Sequence, residues 1–322
     1  MRRKTFLSIA LVVLLILLAG LIYLYWVLSR PPEAKGPVKV GGLTHLFSIY
    51  GYGPNPEDQL SKPHGIAVDR DKNIYVTDTE HGRVLVFDKD GNYISRFGKQ
   101  GDKKGEMKAP LGIAVGDDGR VYVCDRILSK ILVFSERGKL IKEVKEMMPL
   151  TPCVANGKLY VTTYGHVAIF DLDGKLIQRW GQRGKKEGDF EFPNGIAVDK
   201  KGNVYISDGN NMRLQAFDKD GEVLWVVGSP PKSMRDRNRR FQLPMGLAID
   251  KDNYLYLVDS FDDSIIIFNS KGKEITKVGE RGRLDGQLNW PTGIAYMGND
   301  VFAIADKFNS RAQVVRIGSE KE

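Results

Sequence analysis

Few side chains in this chain of 322 residues are suited to metal or acid–base chemistry. The histidines and cysteines are His45, His64, His81, His166, Cys124 and Cys153. No two of them stand at the short spacing at which His and Cys side chains share a zinc ion. The sequence also contains no nucleophile elbow, no phosphate-binding loop and no paired catalytic carboxylates. These patterns therefore identify no catalytic residue.

A cluster of basic residues indicates binding rather than catalysis. It lies within residues 229–243, called the basic loop below, and consists of Lys232, Arg235, Arg237, Arg239 and Arg240. The chain has a formal net charge of +8, and a basic surface attracts acidic proteins, anionic glycans or phospholipid headgroups. The basic loop is therefore the candidate contact with a partner. The alternative is a solvated loop that only maintains solubility.

The elements that position these residues form six copies of one pattern. Each copy begins with Pro, any residue and a small apolar run, followed by a turn and a second apolar run. The copies begin at Pro63, Pro110, Pro149, Pro193, Pro244 and Pro291, and the third copy is degenerate. A repeat of roughly 40–50 residues indicates a solenoid, a propeller or an array.

Each copy contains four short runs rich in Val, Ile, Tyr and Phe, which favour β-strands. In the first copy these runs are residues 65–68, 73–77, 84–87 and 93–97. The apolar residues are nearly consecutive, which is typical of sheets covered on both faces. Six small sheets arranged radially, each covered by its neighbours, form a six-bladed β-propeller with four-stranded antiparallel blades. The predicted fold class is therefore all-β.

The two ends of the repeat region complement each other. Residues 44–50 have the pattern of a fourth strand, but no three strands precede them. The last copy ends near residue 318 after three strands and lacks a fourth. We expect residues 44–50 to complete the sixth blade, which hides two open sheet edges and closes the ring.

These repeats resemble the NHL repeats of six-bladed propellers over about residues 42–318. The resemblance is strongest at residues 63–69 with 73–78, and at 193–199 with 203–208. The second strand ends in Asp at Asp78, Asp125, Asp208, Asp259 and Asp306, with Thr163 in the third copy. A basic residue follows five positions later at Arg83, Lys130, Arg213 and Arg311, with Ser264 in the fifth copy. We interpret this pattern as a turn and an ion pair that each blade needs.

The resemblance also implies where an active site would lie. In peptidyl-hydroxyglycine amidating lyases with this architecture, the residue after the repeat Pro is His in alternate blades, and three imidazoles bind zinc in the pore. The matching pore-mouth positions here are His64, Leu111, Leu150, Asn194, Met245 and Thr292. The alternate set His64, Leu150 and Met245 cannot bind a catalytic zinc. We therefore predict that this activity is absent and that His64 is a structural or pore-lining residue.

A second enzyme branch, the lactonase or esterase propellers, holds calcium in the pore with carboxylates and Asn. Among the six pore-mouth positions only Asn194 offers an amide oxygen, and calcium needs six to eight oxygen ligands. No cofactor is predicted, and pore calcium stays open as an alternative. The family includes enzymes, nucleic-acid binders and interaction platforms, so the resemblance alone does not decide the function.

The N-terminal segment indicates a membrane location. Residues 5–28 contain no charged side chain, and as a helix they would span about 36 Å, enough to cross a hydrocarbon core of ~30 Å. Arg2, Arg3 and Lys4 precede the segment, which favours a cytoplasmic N-terminus. We predict a cytoplasmic tail (1–4), a signal-anchor transmembrane helix (5–28), a linker (29–41), an extracytoplasmic propeller (42–318) and a C-terminal tail (319–322). A cleavable signal peptide is the alternative.

The leading interpretation is a single-pass, membrane-anchored binding or scaffold module outside the cytoplasm. Its propeller would present one face to an envelope or secreted protein or to an anionic glycan. That face is also expected to carry scattered basic residues, among them Arg126 and Lys130. The alternatives are a hydrolase or lyase with a metal in the pore, and RNA binding by a basic face. Export of the propeller argues against nucleic acid, and none is expected.

Overall fold

A computed structural model describes residues 18–21, 38–40, 42–231 and 239–318. Most of the predicted membrane segment, 5–28, and most of the linker lie outside these residues. So do the C-terminal tail and residues 232–238 of the basic loop. Within the part of the chain that is described, no helix is both long enough and apolar enough to cross a bilayer.

Strands dominate the described chain, and six antiparallel sheets form six blades. The first two strands are β1 (Val38–Val40) and β2 (Leu43–Ile49). Blade one contains β3 (Pro63–Val68), β4 (Ile74–Asp78), β5 (Arg83–Phe87) and β6 (Tyr93–Phe97). Blade two contains β7 (Pro110–Val115), β8 (Val121–Asp125), β9 (Lys130–Phe134) and β10 (Leu140–Lys145). Blade three contains β11 (Pro152–Ala155), β12 (Lys158–Thr162), β13 (Val167–Asp171) and β14 (Leu176–Trp180).

The remaining blades repeat this arrangement. Blade four contains β15 (Pro193–Val198), β16 (Val204–Asp208), β17 (Arg213–Phe217) and β18 (Val223–Gly228). Blade five contains β19 (Pro244–Ile249), β20 (Leu255–Asp259), β21 (Ser264–Phe268) and β22 (Glu274–Val278). Blade six contains β23 (Pro291–Gly298), β24 (Val301–Asp306) and β25 (Arg311–Ile317), and it is completed by β2. Short 3-10 helices occur at Pro56–Asp58, Gly209–Asn211, Ser260–Asp262 and Lys307–Asn309.

The continuous apolar runs of the sequence become the two middle strands of each blade. In blade one, every residue of β4 and β5 is buried, whereas β6 at the outer edge buries only Phe97. The core lies between blades: Val76 and Leu85 of blade one pack in one cluster with Val314 of blade six. Burying a side chain of this kind contributes about 1.5–3 kcal/mol to stability. The all-β, six-bladed prediction is confirmed.

Glycine in the first strand allows the blades to approach one another closely at the centre. A Cβ placed on Gly65 would lie 2.3 Å from the backbone oxygen of Leu111 in the next blade. The same substitution at Gly195 would bring a Cβ to 2.2 Å from the backbone oxygen of Met245. No side chain fits there without moving backbone, so the recurring Gly sets how narrow the central pore is.

The ring closes as the sequence predicted. Strand β2 pairs with β25 in antiparallel register, from Leu43 opposite Ile317 to Ile49 opposite Ala312. The structure adds a strand that was not anticipated, because β1 pairs with β2 and makes blade six five-stranded. With three residues, β1 is too short to give a periodic signal in the sequence.

Buried Asp and Arg residues anchor the loops between blades. In blade four, the Asp208 carboxylate accepts hydrogen bonds from Arg213 Nε at 2.9 Å and from the Glu191 backbone N–H at 2.7 Å. The remaining guanidinium nitrogens donate to the backbone oxygens of Lys185, Lys186 and Asp189. One buried ion pair therefore binds both the N–H and the C=O groups of the loop that precedes the blade, and we call it the loop clamp.

The loop clamp recurs in two other blades. Arg311 pairs with Asp306 at 2.9 Å and donates to the backbone oxygens of Leu284 and Gln287. Arg83 pairs with Asp78 at 2.7 Å in the same way. The predicted ion pair is thus confirmed in blades one, four and six.

Blade two departs from the prediction. Its Lys130 ammonium lies 3.1 Å from Glu143 rather than beside Asp125, which binds the backbone N–H groups of Lys108 and Ala109 instead. A single ammonium on a flexible stem lacks the fork with which Arg reaches a carboxylate and several backbone oxygens at once.

Removing the closing strand should unfold the domain. Deletion of residues 42–51 takes away β2 and leaves β25 with an unpaired edge. We expect aggregation and loss of the cooperative thermal transition, measured by circular dichroism and size-exclusion chromatography. Deleting residues 38–40 removes only the added edge strand and serves as the milder control. A stable, monomeric protein after the longer deletion would contradict this view of closure.

Breaking one loop clamp should lower the free energy of unfolding. In the Arg213→Met variant the buried Asp208 loses its cation, and stranding a buried charge costs about 3–5 kcal/mol. We expect a large fall in the free energy of unfolding measured with denaturant. Adding Asp208→Leu to that variant should recover part of the loss, because the stranded charge is then removed. Arg70→Met, which breaks the exposed pair with Asp117, is the control and should leave the unfolding midpoint unchanged. An unchanged Arg213→Met midpoint would show that the clamp is not stabilising.

Candidate binding site at the pore mouth

One face of the ring collects the candidate site residues. Because successive strands alternate in direction, the first strands begin and the second strands end on the same face. The hairpins between second and third strands and the loops between blades lie there too. We call it the top face. It surrounds the entrance to the central pore.

A cavity of about 330 Å³ lies at the pore entrance. Five of the six pore-mouth positions line it, namely His64, Leu111, Leu150, Asn194 and Met245. The sixth, Thr292, is buried deeper, where its hydroxyl donates to the backbone oxygen of His64 at 2.8 Å. Thr292 lines a narrower space of about 80 Å³ further down the pore.

The second-to-third-strand hairpins and the inter-blade loops complete the wall of this cavity. Arg126 and Lys307 contribute cationic groups, and Asn210 contributes an amide. Phe192 and Trp290 form aromatic walls, and Trp290 is held between Phe261 and Phe308 with ring centroids at 4.4 and 5.0 Å. No Asp or Glu is among the described residues that line this space.

The charge of the cavity comes from Arg126 and Lys307. Burial, together with the positive charges of Lys62 and Arg126, lowers the pKa of Lys307 below its ordinary value. Neither Arg126 nor Lys307 has a carboxylate at ion-pair distance within the described part of the chain. Arg126 and Lys307 repel one another, an effect that the Glu80 carboxylate partly offsets at Lys307, and an anion placed between the two cations would relieve that repulsion.

His64 does not add to this charge. Burial, with the nearby Lys307 and Arg126, lowers the pKa of His64 to about 3. Its imidazole is therefore neutral at physiological pH and can act only as a hydrogen-bonding group. The structure thus places His64 in the pore wall as a neutral side chain.

The other metal-binding side chains are spread over the molecule. His45 lies in β2 beside Ser48, His81 contacts Asp78, and His166 lies in blade three. Among the described residues, no group of three or more His, Cys, Asp or Glu side chains could hold a metal ion. Both cysteines are free thiols, and burial raises the pKa of Cys153 to about 12.

The basic loop is only partly described. Lys232, Arg235 and Arg237 lie outside the described residues. Arg240 pairs with Glu274 on the outer strand of blade five, and neither it nor Arg239 lines the pore-mouth cavity. Phe241, which is fully buried, anchors the end of the loop. Leu243 is the residue of the loop that lines the cavity.

The sequence contained an unused signal for the cavity residues. Arg126 was expected only as one of several basic residues on this face, and Lys307, Phe192 and Trp290 were not singled out. Arg126 and Lys307 each follow the repeat Asp directly, and Phe192 and Trp290 each precede the repeat Pro directly. The fold brings all four of these residues to the pore-mouth cavity, together with Leu243, which also precedes a repeat Pro.

Comparisons with known proteins agree with the architecture. A family model described as a 6-bladed beta-propeller matches residues 57–154, and the NHL repeat matches residues 190–217. Virginiamycin B lyase from Staphylococcus aureus, with quinupristin, has a similar structure, with a TM-score of 0.58 and 14% identity. That match covers 86% of this chain and 88% of the lyase chain, and at this identity it shows the fold alone.

Two curated relatives are similar in sequence. Protein brain tumor of Drosophila melanogaster is 23% identical over 53% of this chain. A probable peptidyl-alpha-hydroxyglycine alpha-amidating lyase of Caenorhabditis elegans is 26% identical over 43% of this chain. The chain spans 13% and 38% of the lengths of these relatives, respectively. The repeats, the blades and these matches lead to one conclusion: the chain is a six-bladed β-propeller that contains an NHL repeat at residues 190–217.

Proposed function

We propose that this chain is a membrane-anchored binding module, outside the cytoplasm, whose pore-mouth cavity takes the carboxylate of an amphipathic ligand. One observation carries the proposal: two cations, Arg126 and Lys307, face a cavity that has aromatic walls and no Asp or Glu among the described residues that line it. The membrane anchor and the export of the propeller rest on the uncharged segment 5–28 and the basic residues before it.

The cavity combines the features that an organic anion needs. A carboxylate between Arg126 and Lys307 would accept charge-assisted hydrogen bonds from both. Phe192 and Trp290 offer apolar surface for the rest of the ligand, while Asn194 and Asn210 offer amides that fix its orientation. Ligand pockets are commonly about 300–1,000 Å³, so a cavity of about 330 Å³ accepts a single side-chain-sized group and its carboxylate.

Such a carboxylate can come from two sources, a free small acid or the C-terminus of a partner polypeptide. An envelope or secreted protein that inserts its last residue would place the rest of its chain on the top face, where the basic loop begins and ends. The shared chemistry is the carboxylate beside an apolar group, and the test distinguishes the two sources.

The lyase alternative rests on similarity to the amidating-lyase relative. Leu150 and Met245 lie in the pore-mouth cavity with His64, at the alternate positions where the resemblance implies imidazole ligands. Neither side chain offers zinc the nitrogen, thiolate or carboxylate ligand that it binds in proteins. The geometry therefore supports binding better than zinc-dependent lysis.

N-acetyl-phenylalanine should bind to the full-length protein and quench or shift the fluorescence of Trp290. Its amide, which lacks the charge, should bind at least about tenfold more weakly, since a charge-assisted hydrogen bond contributes ~1.5–3 kcal/mol. Arg126→Glu and Lys307→Glu should abolish binding. Arg137→Glu makes the same change of charge in a hairpin on the opposite face and should not affect it. Equal binding of acid and amide, or no effect of the two cavity variants, would refute the proposal.

The affinity for a longer peptide and the pH dependence of binding provide two further tests. A decapeptide that ends in phenylalanine should bind more tightly than N-acetyl-phenylalanine if the natural source is a polypeptide C-terminus, and no better if it is a free acid. Affinity should stay flat from about pH 5 to 8, where an ordinary imidazole titrates, because His64 with its pKa of about 3 is already neutral. Binding should weaken at alkaline pH as Lys307, whose pKa is lowered, loses its proton.

The location can be tested separately. A reporter enzyme that is active only outside the cytoplasm, fused after residue 322, should be active when the full chain is expressed. The same fusion in which Arg2, Arg3 and Lys4 are changed to Glu should lose much of this activity, because positive residues hold the N-terminus inside. A fusion that is active only inside the cytoplasm would contradict the predicted topology.

A further inference from the structure

The junction between blades two and three lacks a loop that the other five junctions have. From the Gly at or just beyond the end of a fourth strand to the next repeat Pro, the step is twelve residues at four junctions, for example from Gly98, which follows β6, to Pro110. The step from Gly228 to Pro244 is sixteen. From Lys145 to Pro149 it is four, so this junction is eight residues shorter than the usual one.

Each of the five longer loops buries one apolar side chain between the blades. The residue always stands three positions before the repeat Pro, and its exposed fraction is at most 2%. These residues, called the plugs below, are Leu60, Met107, Phe190, Phe241 and Leu288. Three of them also form a backbone bridge within their own loop, as Phe190 does with Arg183.

The short junction has neither plug nor clamp. The position three residues before Pro149 is held by Glu146, a buried carboxylate that pairs with Arg179 at 2.6 Å and lies 3.5 Å from His166. Thr163 replaces the clamp Asp. Only two residues separate Thr163 from His166, whereas four separate Asp78 from Arg83, so the shorter hairpin puts His166 in the place of the clamp Arg.

The space left by the missing loop is a groove of about 840 Å³. Leu128, Ser129 and Met147 line it together with charged residues of both blades. Met147 is 72% exposed, and Ile127 beside the groove is 60% exposed. Large apolar side chains at the rim of an open groove are typical of a surface that a partner covers.

We propose that this groove, called the junction groove, binds a segment of a partner protein that supplies what the missing loop supplies elsewhere. That segment inserts one apolar side chain of the size of Leu, Met or Phe between blades two and three. It also carries an acidic residue beside this anchor.

Charge in the junction groove argues for the acidic residue. The cations that line it are Lys130, Lys145 and Arg179, and the carboxylates are Glu143 and Glu146. Glu143 pairs with Lys130 and Glu146 pairs with Arg179, so both carboxylates are already compensated. Lys145 has no ion-pair partner in the described part of the chain, and a carboxylate of the bound segment would complement it.

The chain provides its own probe for this inference. Residues 182–192 form the loop before blade four and contain the plug Phe190 between Asp189 and Glu191. A fluorescent peptide with this sequence and an amidated C-terminus, which removes the terminal carboxylate of Phe192 that the pore-mouth cavity would take, should bind saturably to the full-length protein, with a Kd below about 1 mM. The same peptide with Phe190→Ala should bind at least about tenfold more weakly, because an anchor side chain carries most of the binding energy.

Two variants of the protein locate the binding. Met147→Asp places a charge at the exposed rim and should weaken binding of the Phe peptide at least about tenfold. Leu284→Asp is the matched control, because Leu284 is also 72% exposed but lies at a junction that has its own loop. Replacing residues 146–148 by residues 182–192 restores a loop of the usual length and should block the junction groove.

The outcomes are separable from those at the pore mouth. Lys307→Glu should abolish binding of N-acetyl-phenylalanine and leave the groove peptide bound, because no described residue lines both sites. Absence of saturable peptide binding, equal binding of the Phe and Ala peptides, or equal effects of Met147→Asp and Leu284→Asp would each overturn the inference. Retained binding by the refilled variant, with a normal thermal transition, would overturn it as well.

Discussion

Closure of the ring by β2 and β25 is the interaction on which the other contacts between blades depend. Each blade has apolar side chains on both faces, so it is covered only when it has a neighbour on each side. An open ring of six blades would leave two such faces and two sheet edges in water. The pairing of β2 with β25, from Leu43 opposite Ile317 to Ile49 opposite Ala312, covers both faces and pairs both edges.

Closure also fixes the geometry of the top face. With six blades held around one axis, the Gly residues of the first strands bring the pore-mouth positions together. The loop clamps then hold the inter-blade loops against the following blade. Positions with no part in either task are free to carry binding chemistry. The residue after the repeat Asp and the residue before the repeat Pro are such positions, and they supply Lys307 and Trp290 to the cavity.

Much of the fold could be predicted because it depends on repeated local signals. The Pro–x–Gly segments, the consecutive apolar runs and the unmatched strand at 44–50 each had a visible pattern. The loop clamp was recognised only as an ion pair, because hydrogen bonds from Arg213 to backbone oxygens leave no mark in the sequence. Strand β1 was missed because three residues carry no period.

The site was harder to predict than the fold. The pore-mouth positions could be aligned across copies, and five of them line one cavity. Of the two cations there, Arg126 was expected only among the scattered basic residues of the face, and Lys307 was not singled out. The two are 181 residues apart, and only the ring brings them together. The basic loop attracted attention through local charge density, yet Arg240 is compensated by Glu274 at the rim.

The position of β1 has a mechanical consequence. The strand that closes the ring, β2, directly follows β1, the described strand nearest the N-terminus, so a pull applied at that end reaches β1 first and β2 next. Strand β1, with three paired residues, can peel away while the pairing of β2 with β25 stays intact. A small force therefore separates β1 from the edge of blade six first, and the ring opens only when the force also breaks the pairing of β2 with β25.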